Sequence, residues 1–171
     1  MAYQLVPQFA VAQPINEVST MQKLPLGTIV RIQDPLINVT FGGAMGEAIY
    51  LRVSGTSVVV GSMVDYDPYL GTAVLSPATA GEGSVAVSFN IVPATNFAWF
   101  QITGAAAVKA PNAMVVGAGV WSLAATAGSV DDAAVAGEQI VNCKVSSTTP
   151  TPATGLGYIE LNRSFHQGAI V

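Results

Sequence analysis

The chain carries one histidine, His166, and one cysteine, Cys143. A thiol beside an imidazole could serve as nucleophile and base, and an imidazole beside a carboxylate could move a proton. The surroundings of both residues point elsewhere. His166 stands in SFHQGAIV, five residues from the C-terminus, and reads as a surface or interface position. Cys143 stands in the alternating stretch QIVNCKV and reads as a small buried hydrophobe. A pocket bringing His166 to Cys143 or to an aspartate would favour a small hydrolase.

Carboxylates come in two pairs, Asp65 and Asp67 in VDYDPY, and Asp131 and Asp132 in VDDA. A calcium loop needs several oxygen ligands at closer, patterned spacing. The first pair reads as a turn, with aspartate capping and Pro68 setting φ. The second reads as a solvated hairpin tip. Neither has the flanking aromatic subsites of a glycoside hydrolase. The glycine-rich pieces Phe41–Gly46 and Gly81–Gly83 lack a lysine and a following helix, so they are not phosphate cradles. Trp99 and Trp121 could form a sugar platform, but tryptophans in alternating strands more often anchor a core or an interface. No catalytic residue, cofactor or metal site is expected, and the reading is of a protein that is not an enzyme.

The elements that position these residues read as strands. Gly81–Gly104 holds one strand with Val85, Val87, Phe89 and Ile91 on one face, a turn at Pro93–Asn96, and a second strand over Phe97–Thr103. Other strand candidates are Thr28–Gln33, Glu47–Val53, Ser57–Tyr66, Thr72–Leu75, Ala113–Val116, Val120–Ala124, Gln139–Val145 and Gly157–Asn162. Glycine and proline fall between the runs as turn signals. Short strands at near-regular spacing predict an all-β fold. The expected architecture is a compact β-barrel or β-sandwich of about ten short antiparallel strands, with an extended N-terminal arm. The stretch SSTTPTPATGLG reads as an exposed loop.

A pseudo-repeat is visible. Ile49–Gly55 matches Ala98–Gly104, each running aromatic, apolar, polar, β-branched, hydroxyl, glycine. Val59–Val64 then matches Val115–Val120, and Gly81-Glu82 matches Gly137-Glu138. The organisation expected is an arm over residues 1–24 and a single β domain over 25–171. Its pseudo-repeats span about 47–92 and 96–145, with a closing strand at 157–162. Pro7, Pro14 and Pro25 punctuate the arm, and its apolar residues Leu5, Val6, Phe9, Val11 and Ile15 are the candidates for contact with a neighbouring subunit or capsid surface.

Composition limits the partners. Only 9% of the 171 residues are charged, against 51% hydrophobic, and the net charge is −4. Ordinary domains carry about 25% charged residues. A surface with so few charges is expected to be covered by copies of itself or by a larger assembly. Six scattered basic residues exclude nucleic-acid binding by charge neutralisation. No apolar run reaches the ~18 residues of a membrane span, and no secretory leader is recognisable. No small-molecule substrate is expected.

Three stretches carry a family resemblance: Gly61, Val64 and Tyr66; Gly83, Val85, Ala86 and Val87; and Trp99, Phe100, Gln101, Ile102 and Gly104. Over about residues 45–145 the chain resembles the capsid decoration (cement, or head-stabilising) proteins of tailed bacteriophages. The resemblance implies a non-enzymatic virion protein made in the host cytoplasm and bound to the outer capsid surface. It implies the major capsid protein as partner, a homotrimer at local three-fold positions, and arms that reach across neighbouring subunits. The alternatives are the base of a head fibre or a carbohydrate-binding adhesin-type module.

Overall fold

The computed structural model describes residues 14–33, 45–79, 81–147 and 154–168. The architecture is all-β. Ten strands form one sheet, and no helix occurs among the described residues. In chain order they are β1 (Ile29–Gln33), β2 (Met45–Val53), β3 (Met63–Asp67), β4 (Thr72–Leu75), β5 (Ser84–Ser88), β6 (Phe97–Lys109), β7 (Gly119–Ser122), β8 (Val130–Asp131), β9 (Gln139–Ser147) and β10 (Leu156–His166). The sheet order is β1-β2-β4-β3-β5-β6-β10-β9-β7-β8, with β2–β6 and β5–β10 also paired. The expectation of antiparallel strands needs one correction: β2 and β4 run parallel, Arg52 opposite Thr72 and Val53 opposite Ala73.

The extra pairings close a ring. β2 bonds β4, β4 bonds β3, β3 bonds β5, β5 bonds β6, and β6 returns to β2. Closure removes the free edges of these five strands, the kind of edge that invites aggregation, and leaves β1 and β8 at the ends of the sheet. Inside this ring lie Ile49, Leu51, Val53, Val64, Ala86, Phe100 and Ile102. The remaining strands continue from β5 through β10, β9, β7 and β8. That path bends back to β3, because Gly128 accepts a hydrogen bond from the Met63 amide at 2.9 Å and donates one to the Ser76 carbonyl at 2.9 Å. It encloses a second core with Met63, Val85, Val87, Val108, Ile140, Ile159 and Leu161. β3 and β5 therefore contribute to both cores, since alternate residues point into different ones. A third cluster, Leu24, Ala48, Tyr50 and Trp99, lies on the other face of β2 and β6.

β3 lies between β4 and β5, as β7 lies between β8 and β9. β3 and β7 are each preceded by a similar turn. Ser62 donates to the Val59 carbonyl (3.0 Å) with Gly61 at φ 75°, and Ala118 donates to the Val115 carbonyl (3.1 Å) with Gly117 at φ 83°. Glycine suits the third position, where the left-handed conformation is needed. Ala113–Val116, expected as a strand, is thus the approach to a turn. For the same reason Ser57–Tyr66 contributes a strand only from Met63, with Val58 bridging Val92 alone.

β6 runs six residues past the expected end at Thr103. Gly104 breaks the backbone trace at φ 87°, but the buried Gln101 side chain donates to the carbonyls of Thr103 (3.0 Å) and Ala105 (2.9 Å). Those bonds satisfy groups that the irregularity would strand, and the strand resumes.

Candidate functional site

Among the described residues, histidine, aspartate and serine side chains meet at one buried point. β3 supplies Asp65, β10 supplies His166, and Ser76 follows β4. His166 Nε2 lies 2.9 Å from Ser76 Oγ and 3.0 Å from Asp65 Oδ1. Asp65 Oδ2 accepts the Glu82 amide at 3.3 Å, and the His166 amide donates to the Gly83 carbonyl at 2.9 Å. Gly81 leaves room for the ring, since a Cβ there would fall 2.6 Å from Nε2.

This places His166 beside an aspartate, the neighbour that would favour a hydrolase, but the geometry does not make a relay. A Ser–His–Asp relay uses opposite ring nitrogens, one toward the hydroxyl and one toward the acid. Here both partners converge on Nε2, and Nδ1 is buried without a hydrogen-bond partner. The ring is 0% exposed. The carboxylate requires the proton on Nε2, so no lone pair faces the serine hydroxyl to take its proton. The cluster is a clasp that ties β10 to β3 and β4. The expectation of a surface His166 is corrected: β10 extends to Gly83 and buries it.

Cys143 is held apart from it, opposite Leu161 on β10, whereas His166 is opposite Ile140. Burial pushes the Cys143 thiol up to about 12, which leaves it protonated and unreactive at neutral pH. Asp131 is no solvated hairpin tip. It belongs to β8 and is buried, with its Oδ2 accepting from Asn112 Nδ2 at 2.6 Å and its Oδ1 from the Asp132 amide at 2.8 Å. Burial pushes its carboxyl upward, but the bonds from Asn112, Asp132 and Ala133 outweigh that and hold it below the usual range. Trp99 is buried in the third cluster; Trp121 is half-buried.

The outer surface shows large apolar side chains on firm supports. Tyr69 is 96% and Leu70 66% exposed. Their turn is rigid: Asp67 Oδ1 accepts both amides, at 2.7 and 3.1 Å, and the Asp67 carbonyl accepts Gly71 at 2.8 Å. Exposed Val59 and Ile91 flank the buried Val58–Val92 bridge, and Val115 and Val116 project from the equivalent turn. Of the arm's contact candidates, Leu5, Val6, Phe9 and Val11 lie outside the described residues. Ile15 is 37% exposed, and its carbonyl accepts from Asn90 Nδ2 at 3.3 Å. Beyond it Ser19 pairs with Phe97, Val18 packs on the first ring's core, and Leu24 is buried, so residues 18–24 lie on the body.

Two grooves among the described residues stand out on this surface. One, of about 540 Å³, runs beside the Tyr69 turn between Asp67 and Glu82. The other, of about 410 Å³, lies over β9 and β10 and is lined by Gly119, Gln139, Asn142, Lys144, Glu160 and Asn162. Both strands are irregular at the second groove. Asn142 and Arg163 adopt φ of 59° and 47°, and register slips between Leu161 and Phe165. Sequence reading missed this groove because the residues that turn to positive φ there, Asn142 and Arg163, are neither glycine nor proline.

No family model matches the chain, and no curated protein matches it. One similar solved chain comes from a structure described as "The capsid of Myoviridae Phage XM1". It is 15% identical, the match covers 95% of this chain and 99% of that one, and the TM-score is 0.45.

Proposed function

We propose that the protein is a non-enzymatic structural component of a phage virion that binds the outer capsid surface and bridges neighbouring major capsid subunits as a homotrimer. The observation that carries this reading is the rigid, solvent-facing Tyr69–Leu70 turn on a chain with 9% charged residues. Tyrosine is among the usual anchors of protein interfaces, and a turn whose backbone is already fixed spares part of the ordering entropy of binding. The sequence resemblance to decoration proteins supplies the partner and the location. The arm residues Leu5, Val6, Phe9, Val11 and Ile15 add contacts to a neighbour. Several weak contacts on a repeating lattice then sum to firm attachment.

Cosedimentation with undecorated capsids tests the reading, alongside size-exclusion with light scattering on chains with and without residues 1–24. The expected results are pelleting with capsids and loss of binding in a Tyr69→Lys, Leu70→Lys variant that melts normally. A monomer that ignores capsids, and behaves identically after truncation, overturns it.

A further inference from the structure

We propose that the groove over β9 and β10 is a binding site for a neutral saccharide, with the neighbouring Trp121 offering an apolar platform at its edge. The backbone shapes it. β9 faces β7 with register Gly119–Lys144 and then Val120–Ile140, so Val141–Cys143 bulge without partners on that side. The matching slip on β10 sets Arg163 beside it, and Ser164 Oγ donates to the Asn142 carbonyl at 2.8 Å, fixing the two irregularities together. Bulges re-aim side chains, and non-glycine residues with positive φ persist where the surroundings hold them.

The lining selects the ligand. The side-chain amides of Gln139, Asn142 and Asn162 make no hydrogen bond among the described residues, and Asn142 and Asn162 are exposed. Each offers two donors and an acceptor, the complement of vicinal hydroxyls that both give and take. Lys144 and Glu160 sit opposite each other and Arg163 is paired with Glu47, so the charges balance, which disfavours a phosphate or a cation. Trp121 is the register partner of Gln139 and so faces the same side of the sheet. A Cβ at Gly119 would lie 2.7 Å from Trp121 Cη2, so the bare glycine lets the indole lie down beside the groove. An aromatic face with one polar edge suits the C–H side of a pyranose. A peptide adding as a strand is disfavoured, because β9 lies between β10 and β7 and β10 between β6 and β9, and only the three-residue bulge is unpaired. The volume falls within the ~300–1,000 Å³ of small-ligand sites.

The test is a set of ¹H–¹⁵N titrations of the full chain with chitotriose, maltotriose and methyl α-mannoside. Saturable shifts are expected for the Trp121 indole and the Asn142 and Asn162 amide groups with at least one sugar. The buried Trp99 indole should stay in place and report an intact fold. An Asn142→Gly, Asn162→Ala variant, in which glycine keeps the positive φ, should weaken binding at least about tenfold. No shift with any sugar up to about 50 mM, far above the millimolar affinity of weak ligands, overturns the proposal, as do shifts that persist in the variant. Capsid cosedimentation is read separately, so loss of one function leaves the other testable.

Discussion

Tyr50 and Trp99 face each other across β2 and β6, ring centroids 5.2 Å apart and planes inclined at 59°. The incoming chain closes over them, for the Tyr50 hydroxyl accepts the Lys23 amide at 3.2 Å and Leu24 is buried alongside. Trp99→Ala should cost about 3–5 kcal/mol in urea unfolding. Tyr50→Phe should cost only about 0.5–1.5 kcal/mol while speeding amide exchange at Lys23. Unchanged exchange there would mean that the hydroxyl does not hold the segment.

Thr95 occupies the third position of the Pro93–Asn96 turn with φ 71°, and the Asn96 amide donates to the Pro93 carbonyl at 3.2 Å. A β-branched residue in the left-handed region is strained by roughly 1–2 kcal/mol. Glycine relieves that strain but costs about 0.5–1 kcal/mol in chain entropy. Thr95→Gly should therefore raise stability by up to about 1 kcal/mol, read as a higher denaturation midpoint with unchanged slope. A destabilised variant would refute the strain.

The buried clasp predicts non-additive mutations. His166→Ala leaves the Asp65 carboxylate buried beside Ser76, and Asp65→Ala leaves the imidazole without its acceptor. Their double-mutant cycle should show a coupling of about 1–3 kcal/mol. Ser76 should stay unlabelled by a fluorophosphonate probe, as mass spectrometry of the intact chain would show. Labelling of Ser76 would reopen the question of catalysis.

Stability should fall at both ends of the pH scale. Burial raises the Tyr50 phenol, against the opposing Lys23 hydrogen bond, and pushes Cys143 from 9.0 to about 12. Both ionise more readily once unfolded, so their stabilisation is complete below the ordinary values and is lost as pH rises through the folded ones. Asp131 has the opposite sign. Its lowered folded value contributes stability above 3.8 that disappears as pH falls through it. Melting temperature should be flat near neutrality, Asp131→Asn should blunt the acid limb, and Cys143→Ala should blunt the alkaline one. Cys143 should react with Ellman's reagent only after unfolding.

Local pattern made much of the fold legible. Thr72–Leu75 is a strand as read, because β-branched alternation between clear turns is decided within a few residues. His166 and Asp131 were misread for a shared reason. Their burial depends on partners far along the chain, Asp65 and Ser76 for one and Asn112 for the other, and pairing at such distances leaves no local mark. Val115 and Val116 failed in the opposite way. They have strand chemistry, yet the glycine after them closes a turn and leaves both exposed. The β9–β10 groove was invisible because a two-strand slip is a property of register, not of composition.

Val85 and Val87 belong to one core and Ala86 to the other. β5 is in this sense a partition, and β3 another, with Met63 on one side and Val64 on the other. Neither half owns the walls of its own interior. Loosening one core exposes the back of the other, so calorimetry should record a single transition with matching van't Hoff and calorimetric enthalpies. A fragment ending before β6 would have no inside to fold around.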